Sequence, residues 1–217
     1  MKKSYASFML ILAMLPALTA CGGYDYTAHI SEAKSDLFCA ETDEFYVTLA
    51  CVEREYPYAS DGITCPKTNV MEISLVPVRA EICEYEVYVV GESVWGGETS
   101  FRTYAGDYYY CESVREFPKD SVTIQIKWEN ETREMTATSV KNESTLSVAE
   151  ALNRAVKAEK ETIERLTENG SFCGEFYVRL LRRNVNYYYI GIIDRDGNTL
   201  SLLLDSETGE VLARRES

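Results

Sequence analysis

Hydrophobic and polar positions alternate with a period of two along much of the first 140 residues. Phe45, Val47, Leu49 and Cys51 alternate with Tyr46, Thr48 and Ala50. Met71, Ile73 and Leu75 alternate with Glu72 and Ser74, and Cys83, Tyr85, Val87 and Val89 with Glu84, Glu86 and Tyr88. Val122, Ile124, Ile126 and Trp128 take turns with Thr123, Gln125 and Lys127. One apolar face at period two predicts half-buried antiparallel strands. Shorter candidates lie at 100–104, 107–112 and 132–138. About seven short strands with turn signals between them predict an antiparallel β-sandwich over residues 36–142, immunoglobulin-like in general architecture. No motif in it names an immunoglobulin family.

The pattern changes after Lys141-Asn142-Glu143. Ser147 followed by Glu150 has capping-box spacing, in which the hydroxyl accepts from an early backbone N–H and the carboxylate reaches back. Leu152, Val156, Ile163 and Leu166 then recur at helical spacing, with Glu and Lys on the other face, and Asn169-Gly170 is a stop signal. This predicts an amphipathic helix over 148–168. Strands follow at 175–182, 187–193, 199–204 and 211–214, with turns at 194–198 and 205–210. Residues 143–217 therefore read as a small α+β domain, one helix packed on an antiparallel sheet.

Within that domain Leu146-Ser147-x-x-Glu150-Ala151-Leu152 opens the helix, and Tyr189-x-Gly191 leads to the turn at Asp196-Gly197. Leu204-Asp205-x-x-Thr208-Gly209-Glu210-Val211-Leu212 closes the chain. Together these resemble a PepSY-type domain, the small α+β module of secreted-metalloprotease propeptides and bacterial envelope proteins. The match spans residues 146–215. The helix runs longer than the family's, and Cys173 lies outside its pattern. The resemblance implies peptidase regulation or protein binding outside the membrane, not catalysis, and it transfers no catalytic residue.

The N-terminus reads as an address. Lys2 and Lys3 precede an apolar run at 8–20. That run is too short for a spanning helix, which needs ~20 residues, and suits a signal peptide. Leu18-Thr19-Ala20-Cys21 resembles the lipobox of bacterial lipoproteins, where small residues before a Cys admit the signal peptidase and the thiol is diacylated. The resemblance implies a signal peptide at 1–20, lipidation at Cys21 and a cell-membrane anchor on the extracytoplasmic face. Residues 21–35 show little apolar periodicity and read as a tether. The stretch 22–34, fully extended at ~3.3–3.6 Å per residue, reaches at most ~45 Å.

Charge and composition narrow the chemistry. Lys plus Arg is 22 against 35 for Asp plus Glu, a net −13. Phosphate binding needs a cationic face, so nucleic acid is excluded as a partner. Residues 24–145 hold 10 basic and 23 acidic groups, residues 146–217 hold 10 and 12. Arg182-Arg183 and Arg214-Arg215 are expected to meet as a weak basic spot. The one His, His29, falls in the tether, which removes the positioned imidazole that Ser or Cys triads require. Asp194-x-Asp196-Gly197 places Gly at position 4 of an EF-hand-like run where position 6 is needed, so it reads as a hairpin turn. No catalytic residue, metal or cofactor is assigned.

Cys39, Cys51, Cys65, Cys83, Cys111 and Cys173 are candidate disulfide partners. Six Cys allow 15 connectivities, and reduced, buried thiols are the competing reading. Cys51 and Cys83 fall on inward faces, as a bridge or as core filling. Consecutive Tyr at 108–110 and 187–189 must show on both faces of a strand, so some rings are expected outside. Tyr56, Tyr58, Trp95, Tyr108, Tyr110 and Tyr188 are the candidate binding surface. Tyr56 and Tyr58 lie in the long irregular stretch 53–69, and long loops are usually functional or disordered. The sequence thus favours a non-catalytic envelope lipoprotein binding a protein or peptidase. A carbohydrate- or peptide-binding accessory lipoprotein comes second, and an acid-dependent hydrolase third.

Overall fold

Why the chain folds as it does is clearest at one strand that the alternation did not mark. The computed structural model describes residues 24–55, 65–79, 83–91 and 94–216. Its first strand, β1 (Ile30–Glu41), begins where a tether was expected. Its period of two is broken twice, by register shifts between Ile30 and Glu32 and between Lys34 and Asp36. An inserted residue moves later side chains to the other face, so the sequence shows no clean alternation.

β1 pairs with three neighbours. Glu32 to Glu41 pair antiparallel with β2 (Phe45–Glu55). Phe38 and Cys39 pair with β9 (Glu131–Ser139). Ile30 to Lys34 pair in parallel with β12 (Gly174–Arg182). One branch continues from β2 through β3 (Lys67–Pro77) and β7 (Asp107–Ser113) to β6 (Ser100–Arg102). A second leaves through β9 to β8 (Ser121–Trp128), β4 (Tyr85–Val90) and β5 (Trp95–Glu98). The two branches curl towards each other until β5 lies against β7. Gly97 permits this approach, because a Cβ there would stand 3.2 Å from the Tyr110 ring. The result is a mostly antiparallel, nearly barrel-like sheet. Phe38, Phe45, Val47, Leu49, Met71, Ile73, Leu75, Val87, Ile124 and Ile126 fill it. Fully burying such a side chain contributes ~1.5–3 kcal/mol.

The third direction from β1 runs through β12, β13 (Asn186–Asp194), β14 (Thr199–Asp205) and β15 (Val211–Glu216). Here helices cover the core. α1 (Val148–Ala158) buries Ala151, Leu152 and Ala155, and α2 (Lys160–Arg165) buries Thr162 and Ile163. The expected capping box is present: Glu150 N donates to Ser147 Oγ, and Glu150 Oε2 accepts from Ser147 N at 2.8 Å. The expected single helix is broken at Glu159, whose φ of −108° and ψ of 37° are not helical. The two-residue strands β10 (Thr167–Glu168) and β11 (Ser171–Phe172) then form a small hairpin through Asn169 and Gly170, both at positive φ.

This second core includes Phe176, Val178, Leu180, Tyr188, Ile190 and Leu202, but also Ile30, Ala33, Leu37, Ala50, Val52 and Val140. Sheet and core therefore run across the expected boundary at 142/143. Residues 24–35 of the segment expected to be a tether are built in as well. Tyr26–His29 is a 3-10 turn capped by Asp25, and strand β1 follows directly. No helix among the described residues is long and apolar enough to cross a membrane.

Candidate interaction surface

Strand pairing places a row of charged and aromatic residues on one face. Glu32 stands opposite Arg54, Glu72 opposite Cys111, Ser74 opposite Tyr109, and Arg179 opposite Tyr189. Glu72 is the centre of the row. Its carboxylate accepts from Lys34 Nζ at 3.2 Å, Arg54 at 3.1 Å and the Tyr109 hydroxyl at 2.9 Å. Burial alone would raise its pKa, but Lys34, Tyr109 and Arg54 together hold the carboxyl below the usual carboxylate range. Tyr109 is pushed far up, first by burial and then by Cys111 and Glu72. Arg54 also donates to Cys111 Sγ at 3.6 Å.

Beside this group Arg102 lies 3.9 Å from the centre of the Tyr109 ring and donates two hydrogen bonds to Asp107, which also accepts from Ser74. At the other end Arg179 binds Glu32 at 2.6 Å and lies over Tyr177 at 4.4 Å. The row is internally satisfied, so it stiffens the surface without aiming an unused group at solvent. No group of three or more His, Cys, Asp or Glu among the described residues is placed to hold a metal ion.

The edge of the sheet differs. β15 hydrogen-bonds to β14 on one side only, and all six of its residues are exposed. Leu212 keeps 53% of its surface in solvent. Arg214 is held by Glu159 at 2.9 Å and Glu216 at 2.6 Å, whereas Arg215 makes no ion pair among the described residues. Tyr189, Ser201, Leu203, Ala213 and Arg215 line a shallow recess of about 370 Å³ beside this edge. The two arginine pairs do not meet. Arg182 stands opposite Asn186, while Arg214 stands opposite Leu202, further along the sheet.

Of the residues expected on a binding surface, Tyr108 and Tyr188 are buried. Tyr108 faces the barrel-like core, with its ring 4.6 Å from Tyr85. Tyr188 lies under the helices, where its hydroxyl donates to Leu146 O at 2.7 Å and burial pushes its pKa up to about 12. Neighbouring strand residues face opposite ways, so the outer rings are Tyr109, Tyr187 and Tyr189. Trp95 and Tyr110 are half-buried against the barrel-like core, Tyr110 donating to Glu112 at 2.7 Å. Tyr56, Tyr58 and Cys21 lie outside the described residues. The sequence reading missed the exposed rings of Phe101 in β6 and Tyr104 in the turn after it, with 54% and 84% of their surface in solvent. The only signal was the clustering of aromatics with Arg102 around Gly106.

Among the described residues the six cysteines stand as free thiols, the competing reading of the sequence. Cys51 is inside the barrel-like core, where burial pushes its pKa up to about 12. Cys39 lies 3.7 Å from the Tyr46 hydroxyl and packs against the helix-covered core instead. Cys111 sits beside Arg54, and Cys173 donates to Ser171 O at 3.5 Å. No protein-family model, curated protein or solved structure matches the chain.

Proposed function

We propose that the protein is a non-catalytic, membrane-anchored extracytoplasmic lipoprotein that binds an envelope protein partner by strand addition at β15. The observation that carries this reading is the open edge, exposed along its whole length and bordered by the Tyr189 recess. An extended segment laid along β15 takes up its outward N–H and C=O groups and drops alternate side chains beside Tyr189. Arg215 favours a segment carrying carboxylates. The PepSY-type resemblance of residues 146–215 supports the same reading, since that family implies protein or peptidase binding. Cys21 provides the anchor, and residues 36–142 serve as a sandwich-like support.

A photo-cross-linking residue replacing Leu212 in the full acylated chain tests this in native envelopes. One partner is expected to cross-link through an acidic extended segment, and Arg215→Glu is expected to abolish it. A partner captured equally after Arg215→Glu, or no cross-link at Leu212, overturns the proposal. A glycan- or peptide-binding accessory role is the second reading. It is favoured by a recess of about 630 Å³ at the open end of the barrel-like core, where Trp95 and Phe117 meet Met71 and Val89. Quenching of tryptophan fluorescence by envelope oligosaccharides would shift the assignment there.

A further inference from the structure

We infer that the folded body is strapped end-on against the bilayer that carries its anchor, not suspended from it on a tether. The inference rests on acylation of Cys21, as proposed above. Only Gly22 and Gly23 separate Cys21 from Tyr24, and Tyr24 already belongs to the body. Its hydroxyl accepts from Phe172 N at 3.0 Å and meets His29 Nε2 at 2.7 Å. Its ring lies 4.8 Å from Tyr26, which stands edge-on to Phe172 and Phe176. Asp25 fixes the next turn by accepting from Thr27 N at 3.0 Å. Each end of this cluster is tied to the other, 148 residues away along the chain.

Chain length then sets the distance. Three Cα steps of ~3.8 Å bring Tyr24 no further than ~11 Å from the acylated residue. A free tether over 22–34 would allow ~45 Å. The partner of this end of the molecule is therefore a phospholipid surface, set by how few residues lie between Cys21 and Tyr24. Phe172, beside Tyr24, follows the β10–β11 turn, and Glu168 at the end of β10 meets Arg195 of the β13–β14 turn at 3.9 Å. Asp25, Glu168, Asp194 and Asp196 outnumber Arg165 and Arg195 at this end, so it carries no cationic patch for anionic headgroups. The strap holds the face near the bilayer, and two acyl chains supply the affinity.

Register carries the geometry outward. Ile30, Phe176, Ile192, Leu200 and Glu216 share one level across five strands. β1 climbs from that level over its 12 residues, a rise of roughly 40 Å at ~3.3 Å each. Tyr104 and Phe101, at the turn beyond the Leu75 end of β3, lie at the far end. The open edge of β15 stands upright with Glu216 nearest the membrane.

Neutron reflectometry of the acylated full chain in a supported phosphatidylcholine bilayer tests the strap. Protein density is expected to begin within ~11 Å of the headgroups. A variant with a 12-residue Gly-Ser segment inserted between Gly23 and Tyr24 is expected to move outward. A wide water gap under the unmodified chain, or identical profiles for both, overturns the inference. Hydrogen exchange on the same chain in detergent separates this from failure of the anchor. The amides of 27–34 are expected to be protected like the rest of β1, and fast exchange there overturns the strap whatever the lipid does. A chain whose mass shows no acyl groups overturns the anchor reading itself.

Discussion

The two parts of the molecule hide their cores in different ways. The part built on β2 to β9 curls until β5 meets β7, and the sheet itself encloses Phe45, Leu49, Ile73 and Ile126. The part built on β12 to β15 stays open and borrows α1 and α2 to cover Phe176, Tyr188, Ile190 and Leu202. A sheet that curls nearly closed protects its core and leaves only the short edges of β5 and β6. A helix laid on one face protects the core alone, and the edge strand β15 remains available. The same contrast runs through the charge, which is strongly acidic over 24–145 and nearly balanced over 146–217. Binding by strand addition is therefore expected on the helix-covered side.

The comparison breaks most directly at β1, which serves both cores. Leu37 packs in the helix-covered core and its neighbour Phe38 in the barrel-like one. Phe38→Ala is expected to cost about 3–5 kcal/mol and Leu37→Ala about 2–5. Both tryptophans, Trp95 and Trp128, lie in the barrel-like part, whereas both helices lie in the other. Urea unfolding followed by tryptophan fluorescence and by helical circular dichroism should give coincident midpoints in both variants. If Phe38→Ala shifts the fluorescence curve alone, the parts are independent and β1 does not couple them.

The sequence made much of this legible. Strict alternation marked the cores of β2, β3, β4 and β8, and Ser147 with Glu150 marked the start of α1. The strands at 175–182 and 187–193 were also marked, because apolar residues there face one covered side. β1 was hidden by its two irregularities, and with it the junction and the loss of the tether. The Tyr runs at 108–110 and 187–189 signalled two-faced strands, but which ring faces out depends on register. The break at Glu159 had no local signal beyond the charge of the segment, since no Pro or Gly interrupts 148–165.

A smaller effect separates the outer faces. Glu72→Gln leaves Lys34, Arg54 and Tyr109 without their shared carboxylate and is expected to cost on the order of 2–3 kcal/mol at pH 7. The native carboxyl titrates below its unfolded value. Its contribution is therefore complete above the ordinary carboxylate pKa of ~4.3 and fades as pH falls through the lower folded value. Native and variant stabilities should converge in acid. A difference that stays constant from pH 7 to pH 3 would mean that packing, not charge, holds this row.

On the helix-covered side the corresponding bond is neutral. Tyr188→Phe removes the donor to Leu146 O and is expected to cost about 1–2 kcal/mol, with no change in slope across the acid range. Because burial pushes Tyr188 up to about 12, its ultraviolet ionisation signal should appear only as the protein unfolds in alkali.

The smallest expected effect is at the start of α1. Ser147→Ala removes the side-chain acceptor for Glu150 N and should cost about 1 kcal/mol. Hydrogen exchange offers the sharper readout. Amides at the first turn of α1 should exchange faster, while those of β15 and of the barrel-like strands keep their native rates. If β15 loosens with the cap, the helices must hold the edge strand as well as cover the core, through Glu159 and Arg214. The edge would then be coupled to the covered face, and a partner bound along β15 would tighten α1 in return.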